Sequence, residues 1–374
     1  MTADPGAPAD RVLRRVGVVG VGRIGLPLVT VLSAAGFEVC ASDLRATVRA
    51  DVEHANARWV PTAEAVVATV EVLLTVLPGN PELSLVMLGD GSDAGLINRI
   101  PAGCTWLDLT SGSPQLGATL AAAARTRGVD YVDAPVGGGT RAAEHGELTF
   151  YLGGERQVVE RVRPVLTTVA ASDGIRYMGP HGAGYLTKLL VNLLWFGQAM
   201  AVGEALLLGQ SAGLSPSLLA ETFASGAGSS EFVRSYLPSL LDGDYLATFG
   251  LDRCVEELDA VVALARSRDL PFEVSATVTR LHREALDHFG AIAGELLGIG
   301  LLEHRASAQL RTGCATHRVP GDTWDAGPMK NTPDEDETSD AEQQDRKRAT
   351  EPTTSGHSTA KTQAERNAED EPPG

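Results

Sequence analysis

Lys188 stands at the head of a long apolar run, Gly182-Ala-Gly-Tyr-Leu-Thr-Lys188-Leu-Leu-Val-Asn192, with an amide side chain four residues downstream. On a helix this i, i+4 spacing puts the ammonium and the amide on one face, one turn apart. Burying an unpaired ammonium is costly, so the chain either lets Lys188 snorkel to water or gives it work. The work would be general acid/base chemistry. Partial desolvation lowers a lysine pKa until the group exchanges a proton with a substrate oxygen near neutral pH. Glu204, the other charge in the run, reads as a contact to a neighbouring helix rather than a reacting group.

Two glycine clusters precede the lysine. Gly20-Val21-Gly22-Arg23-Ile24-Gly25 is a G-x-G-x-x-G that directly follows an apolar strand and opens a helix. The first glycine permits the tight turn, the second lets a pyrophosphate reach the backbone, and the third lets helix and strand pack closely, with the helix N-terminus offering free N–H groups. The next strand ends at Asp43, the spacing expected for a carboxylate that grips a ribose 2′-hydroxyl. These residues predict a dinucleotide site rather than a merely structural turn. Asp43 would repel a 2′-phosphate, which predicts NAD, while Arg45, just beyond Leu44, would attract one and keeps NADP possible. The second cluster, Gly137-Gly138-Gly139, follows Asp133-Ala-Pro-Val at the carboxyl end of a strand. It reads either as a nest of N–H groups for a carboxylate or as a flexible hairpin loop.

These groups need a scaffold. From Val12 to about Met178, short β-type runs ("VGVVGVG", "FEVCASD", "VEVLLTVLP", "CTWLDLT", "VDYVDAP", "LTFYLGG") alternate with Ala-rich helical stretches. That alternation predicts an α/β, Rossmann-type doubly wound parallel sheet. Strand signals then stop. Gly184 to about Ala212 predicts one helix roughly 40 Å long, apolar on every side and so destined for burial against other helices or a second subunit. "GLSPSLL" restarts a helix with Ser215 as N-cap and Pro216 first. Further helical patterns complete an all-α second domain. The expected divisions are a disordered lead at 1–13, an NAD(P)-binding domain at 14–178, an all-helical substrate and dimerisation domain at 179–305, and a mostly disordered acidic tail at 306–374. Residues 320–374 carry 14 acids and 6 bases and no Val, Ile, Leu, Phe or Tyr, so they cannot form a core.

Thirty-one basic against 48 acidic residues give a net charge of −17, which argues against nucleic acid and anionic membranes as partners and points to a small molecule. The longest uncharged stretch of the apolar helix, Leu189 to Gly203, is shorter than the roughly 20 residues a membrane span requires. Cys40, Cys104, Cys254 and Cys314 include no C-x-x-C pair. No disulfide framework and no metal site is expected, and a cytoplasmic location fits.

The ordered series "GVVGVGRIG", "TVLP", "DLTS", "DAPVGGG" followed by "GELT", "GAGYLTKLLVN" and "EALLLGQSAGLSP" resembles the β-hydroxyacid dehydrogenases over about residues 14–300. This group includes 3-hydroxyisobutyrate dehydrogenase, tartronate semialdehyde reductase and, more distantly, 6-phosphogluconate dehydrogenase. The resemblance implies that Lys188 is the acid/base and that Asn192, Gly138 and Gly139 hold the substrate's hydroxyl and carboxylate. It also implies that Leu77, Pro78 and Ser111 line the cofactor in an interdomain cleft, and that the long helix helps form a homodimer or larger homo-oligomer. The implied reaction is hydride transfer between a hydroxy acid or semialdehyde and nicotinamide. Three positions depart from the family pattern: Gly137 replaces a serine, Val191 replaces an asparagine, and Glu256, in "FGLDRCVEEL", replaces a lysine. The last reverses a charge near cofactor and substrate and predicts weak binding of a small anion. Two rival readings are an imine reductase-like enzyme, which would usually carry Asp or Tyr in place of Lys188, and a non-catalytic dinucleotide-binding protein. A UDP-sugar dehydrogenase, hinted at by "GLPL", lacks its nucleophilic cysteine in a Gly-rich segment.

Overall fold

The computed structural model describes residues 13–91 and 94–312. The expected lead, most of the acidic tail and Cys314 lie outside the described residues. In chain order the elements are β1 (Arg15–Val19), α1 (Gly25–Ala34), β2 (Glu38–Ser42), α2 (Arg49–His54), β3 (Arg58–Trp59), α3 (Ala63–Val67), β4 (Val72–Thr75), α4 (Asn80–Leu88), β5 (Thr105–Asp108), α5 (Pro114–Thr126), β6 (Asp130–Asp133), β7 (Val136–Gly137), α6 (Gly139–His145), β8 (Leu148–Gly154), α7 (Arg156–Val169) and β9 (Ala170–Gly179). After them come α8 (Ala183–Ser211), α9 (Pro216–Ser225), a π-helical turn at Phe232–Tyr236, α10 (Leu237–Leu241), α11 (Leu251–Ser267), α12 (Glu273–Phe289) and α13 (Leu297–Ala306).

The sheet runs β3-β2-β1-β4-β5-β6-β8-β7, with β9 beside β8. β1 to β6 are parallel. Their residues are buried on both faces: Val16, Val18, Leu74 and Leu107 enter one core, while Val19, Leu73 and Trp106 enter the other. This is why the strands read as continuous apolar runs rather than alternating ones. The expected doubly wound parallel sheet is found, extended at one edge by β8, which runs antiparallel to both β6 and β7. β6 and β7 run the same way, and the chain reverses between β7 and β8 across the short α6 without a long crossover, as only an antiparallel neighbour permits. Strand order reverses between β1 and β4, so the crevice at their carboxyl ends is the topological switch point where ligands bind in such sheets.

Helix α8 spans 29 residues and leaves the sheet to enter the helical half. Its inner face, including Leu189, Phe196, Met200, Gly203 and Leu206, is buried. On its outer face Leu190, Leu194 and Leu208 are exposed in the single chain. The helix is long and apolar enough to cross a membrane by length and composition, with 33% of its most apolar window buried. Ser215 caps α9 as expected: its hydroxyl accepts the Leu218 N–H, with Pro216 at the first position.

Candidate active site between the sheet and the helical half

The glycine turn after β1 sits at the switch point. A Cβ on Gly20 would lie 2.2 Å from the Val76 carbonyl oxygen, and one on Gly25 would lie 2.0 Å from the Gly20 oxygen, so packing forbids side chains at both. A Cβ on Gly22 would meet nothing within 4 Å. The second glycine therefore leaves room above the N-terminus of α1, whose first turn carries no acidic residue and no side-chain cap. That is the cradle a dinucleotide pyrophosphate needs. Asp43 braces it, with Oδ2 accepting from Val21 N at 2.7 Å and Oδ1 from Arg45 N at 2.9 Å. The Arg45 guanidinium folds over Asp43 at 3.0 Å and donates to the Val21 carbonyl. Burial raises the Asp43 pKa, but the hydrogen bonds from Arg45 and Val21 outweigh it and hold the carboxyl below its ordinary value. Leu44 beside it is fully exposed. Arg23 points out of the turn toward the Ala247 carbonyl of the helical half, and Ile24 is half-buried beneath it.

A buried polar network fastens the first turn of α8 to this sheet. Asp133, at the end of β6, accepts the backbone N–H groups of Gly182, Gly184 and Tyr185 at 2.8, 2.9 and 3.2 Å. A carboxylate at a helix N-terminus satisfies orphan donors and complements the helix dipole. Asp108, at the end of β5, accepts hydroxyl protons from Thr75, Thr110 and Tyr185. Tyr131 lies 2.8 Å from the Tyr185 hydroxyl, and Thr110 in turn accepts the Leu77 N–H. Burial pushes both carboxyls up to about 6 against these hydrogen bonds. Tyr185 precedes Lys188 by one helical turn, so the network sets where the lysine begins. Sequence reasoning missed these roles, although Asp108 and Asp133 head the quoted "DLTS" and "DAPVGGG".

Lys188 does not point into bulk solvent. Burial lowers its pKa, and the carboxylates of Glu257 and Glu295 work against that shift. Asn192, one turn on, donates from Nδ2 to Glu257 Oε2 at 2.5 Å. Glu257 is 6% exposed and its Oε1 is buried with no hydrogen-bond partner. Pro78, Gly79, Asn80 and Ser111 from the sheet face Leu189, Phe249, Arg253, Glu256 and Glu257 from the helical half across one cleft. Glu256 is held by Asn80 Nδ2 at 3.2 Å and Arg253 Nη1 at 3.0 Å. The three-glycine turn lies on the neighbouring hairpin. Gly138 (φ +107°) caps α6 and Gly139 (φ +66°) opens it, conformations that favour glycine, and Gly139 borders open space. Tyr151 joins the turn to the lysine helix. Its hydroxyl is 3.2 Å from the Cβ position of Gly137, and its carbonyl borders Gly184.

Two family models match the chain: the NAD-binding domain of 6-phosphogluconate dehydrogenase over residues 15–179, and the NAD-binding domain of NADP-dependent 3-hydroxyisobutyrate dehydrogenase over residues 182–297. The chain is 31% identical to a 2-(hydroxymethyl)glutarate dehydrogenase of Eubacterium barkeri over 268 residues, covering 71% of this chain and 87% of that protein. It is likewise 31% identical to an NAD-dependent L-serine dehydrogenase of Pseudomonas aeruginosa over 226 residues, covering 60% of this chain and 74% of the other. In fold it is similar to 3-hydroxyisobutyrate dehydrogenase of Mycobacterium tuberculosis solved with L-serine, at a TM-score of 0.69 and 22% identity over 78% of this chain and 99% of that one. With the glycine turn, Asp43 and the cleft at the switch point, these matches make the chain an NAD(P)-dependent dehydrogenase belonging to the β-hydroxyacid dehydrogenase family.

Proposed function

We propose that this protein interconverts a small hydroxylated substrate and its carbonyl form, with Lys188 as the general acid/base. The observation that carries the reading is the desolvation of the Lys188 ammonium next to Leu189, which lines the cleft, because desolvation favours the neutral form. When bound, the nicotinamide accepts or returns the hydride of the carbinol carbon. Lys188 takes the hydroxyl proton in oxidation and returns one in reduction. Asn192 steadies the same oxygen from one turn away and, through Glu257, keeps its amide fixed. Gly138 and Gly139 present N–H groups to the far end of the substrate, and Leu77, Pro78 and Ser111 line the cofactor side. A small-molecule partner follows. Loss of Lys188 should lower kcat by about 10²- to 10⁴-fold, the usual contribution of a positioned acid/base. Absorbance at 340 nm over a panel of hydroxy acids, semialdehydes and amino alcohols, with wild type and Lys188→Ala, tests this. Equal rates in the two proteins would favour the non-catalytic reading.

We infer NAD rather than NADP, because Asp43 and Arg45 neutralise one another, so that Arg45 is not free to hold a 2′-phosphate. Fluorescence titration should show tighter NADH than NADPH binding in wild type and a narrowed gap in Asp43→Ala; tighter NADPH binding by wild type would refute the choice. The exposed stripe of α8 supports a homodimer or larger homo-oligomer, since water gains nothing from Leu190, Leu194 and Leu208. The chain's acidity favours a second copy over a membrane or nucleic acid as the cover. Leu194→Glu should shift the mass measured by light scattering toward the monomer. The buried free thiols Cys40, Cys104 and Cys254 agree with a reducing, cytoplasmic setting.

A further inference from the structure

The helical wall of the cleft has a hydrogen-bond acceptor to spare, and its guanidinium is already committed. Among the described residues Arg253 is the one guanidinium lining that cleft, and it is saturated: Nη2 pairs with Glu82 at 2.7 Å, Nη1 with Glu256 at 3.0 Å and Nε with Asp252 at 3.7 Å. It therefore does not replace the lysine that the family pattern carries in place of Glu256. Glu256 has its two donors, Arg253 and Asn80. Glu257 takes the Asn192 amide on Oε2, while its Oε1 has no hydrogen-bond partner at normal geometry, although Ser111 and the charge of Lys188 both act on the carboxyl. A buried carboxylate oxygen without a donor is costly unless a ligand supplies one. The Asn192 amide that touches Glu257 lies one turn, about 5.4 Å, beyond Lys188 on the same helix face. A group held at Oε1 therefore sits within a few bonds of the oxygen that Lys188 would protonate.

We propose that the substrate is a short amino alcohol, whose ammonium binds at Glu257 Oε1 beside Glu256 while its hydroxyl faces Lys188. This rests on the acid/base reading above and narrows it to a substrate class. An ammonium brings three donors and a positive charge to two adjacent carboxylates, whereas a carboxylate in the same place would meet two like charges. In the oxidation the carbinol C–H and O–H bonds break and a C=O bond forms. The hydride passes to the oxidised dinucleotide and the proton to Lys188, and the ammonium is unchanged.

Two measurements test the proposal. The first is equilibrium binding to the protein with its dinucleotide, by calorimetry, of propylammonium against propionate, which differ chiefly in the sign of the end group. Propylammonium should bind at least tenfold tighter to wild type, and Glu256→Lys should reverse the order. Because that change also disturbs Arg253, Glu256→Gln serves as a second variant and should shrink the preference without reversing it. Equal binding, or tighter binding of propionate by wild type, overturns the proposal. The second is turnover of 1-amino-2-propanol against 3-hydroxybutyrate, followed at 340 nm. A higher kcat/KM for the amino alcohol supports the assignment. Lys188-dependent turnover of the hydroxy acid alone removes the amine specificity and leaves the acid/base reading standing. Tight propylammonium binding with no loss of turnover in Lys188→Ala supports the binding site and removes the acid/base reading instead.

Discussion

Two groups of buried carboxylates lie on either side of the cleft, and they differ in what they lack. On the sheet side, Asp108 and Asp133 are fully buried and saturated: three hydroxyls donate to one, and three backbone N–H groups to the other. On the helical side, Glu257 is nearly as buried but keeps one oxygen bare. A folded chain tolerates a desolvated charge where hydrogen bonds repay it and strains where they do not. The saturated pair thus acts as a fastener for α8, and the unsaturated residue belongs to the part of the molecule that meets a ligand.

The largest effect should come from breaking the fastener. Asp133→Ala leaves three buried N–H groups at the head of α8 without an acceptor and should lower unfolding free energy by about 3–5 kcal/mol in urea titrations; a loss under about 1 kcal/mol would mean water replaces the carboxylate freely. The next effect is a pH dependence. Burial raises the Asp108 carboxyl to about 6 from an ordinary 3.8. A carboxyl raised in the folded state contributes its stability below the unfolded pKa and loses it as pH rises through the folded one. Asp108 should therefore withdraw about 3 kcal/mol between about pH 4 and pH 7, a slope that Asp108→Asn removes when the two proteins are compared by denaturation across that range. The smallest effect on stability should follow Glu257→Gln, about 0–1 kcal/mol, because that change relieves a desolvated charge. It should act on chemistry instead. Glu257 works to raise the Lys188 pKa, so its removal should move the acid limb of the pH–rate profile to lower pH. A Glu257→Gln variant that unfolds readily while its limb stays put would erase the distinction between the two groups.

The half of the site that is local in sequence was legible there. The turn from Gly20 to Gly25, Asp43 at the end of β2 and Lys188 with Asn192 on α8 are each fixed by spacing along one or two elements. The two-residue strands β3 and β7 escaped because so few residues carry no periodicity, and α13 because Glu303 and two glycines interrupt its pattern. The fasteners escaped for another reason: Tyr185 lies 77 residues from Asp108, and Arg253 lies 171 from Glu82. No local spacing announces such pairs. Glu256 was visible as a reversed charge, but only the structure shows that Arg253 pairs with it and is at the same time committed to Glu82.

The most direct test of the central claim is the pH dependence of kcat/KM for oxidation in wild type and Lys188→Ala. The account predicts that the wild-type rate rises with pH to a plateau, because Lys188 must be neutral to accept the proton, with a midpoint below the ordinary lysine value of 10.5. In Lys188→Ala the rate should fall by about 10²- to 10⁴-fold and lose that limb. A limb that persists at the same pH in Lys188→Ala would show that another group carries the proton and would contradict the account.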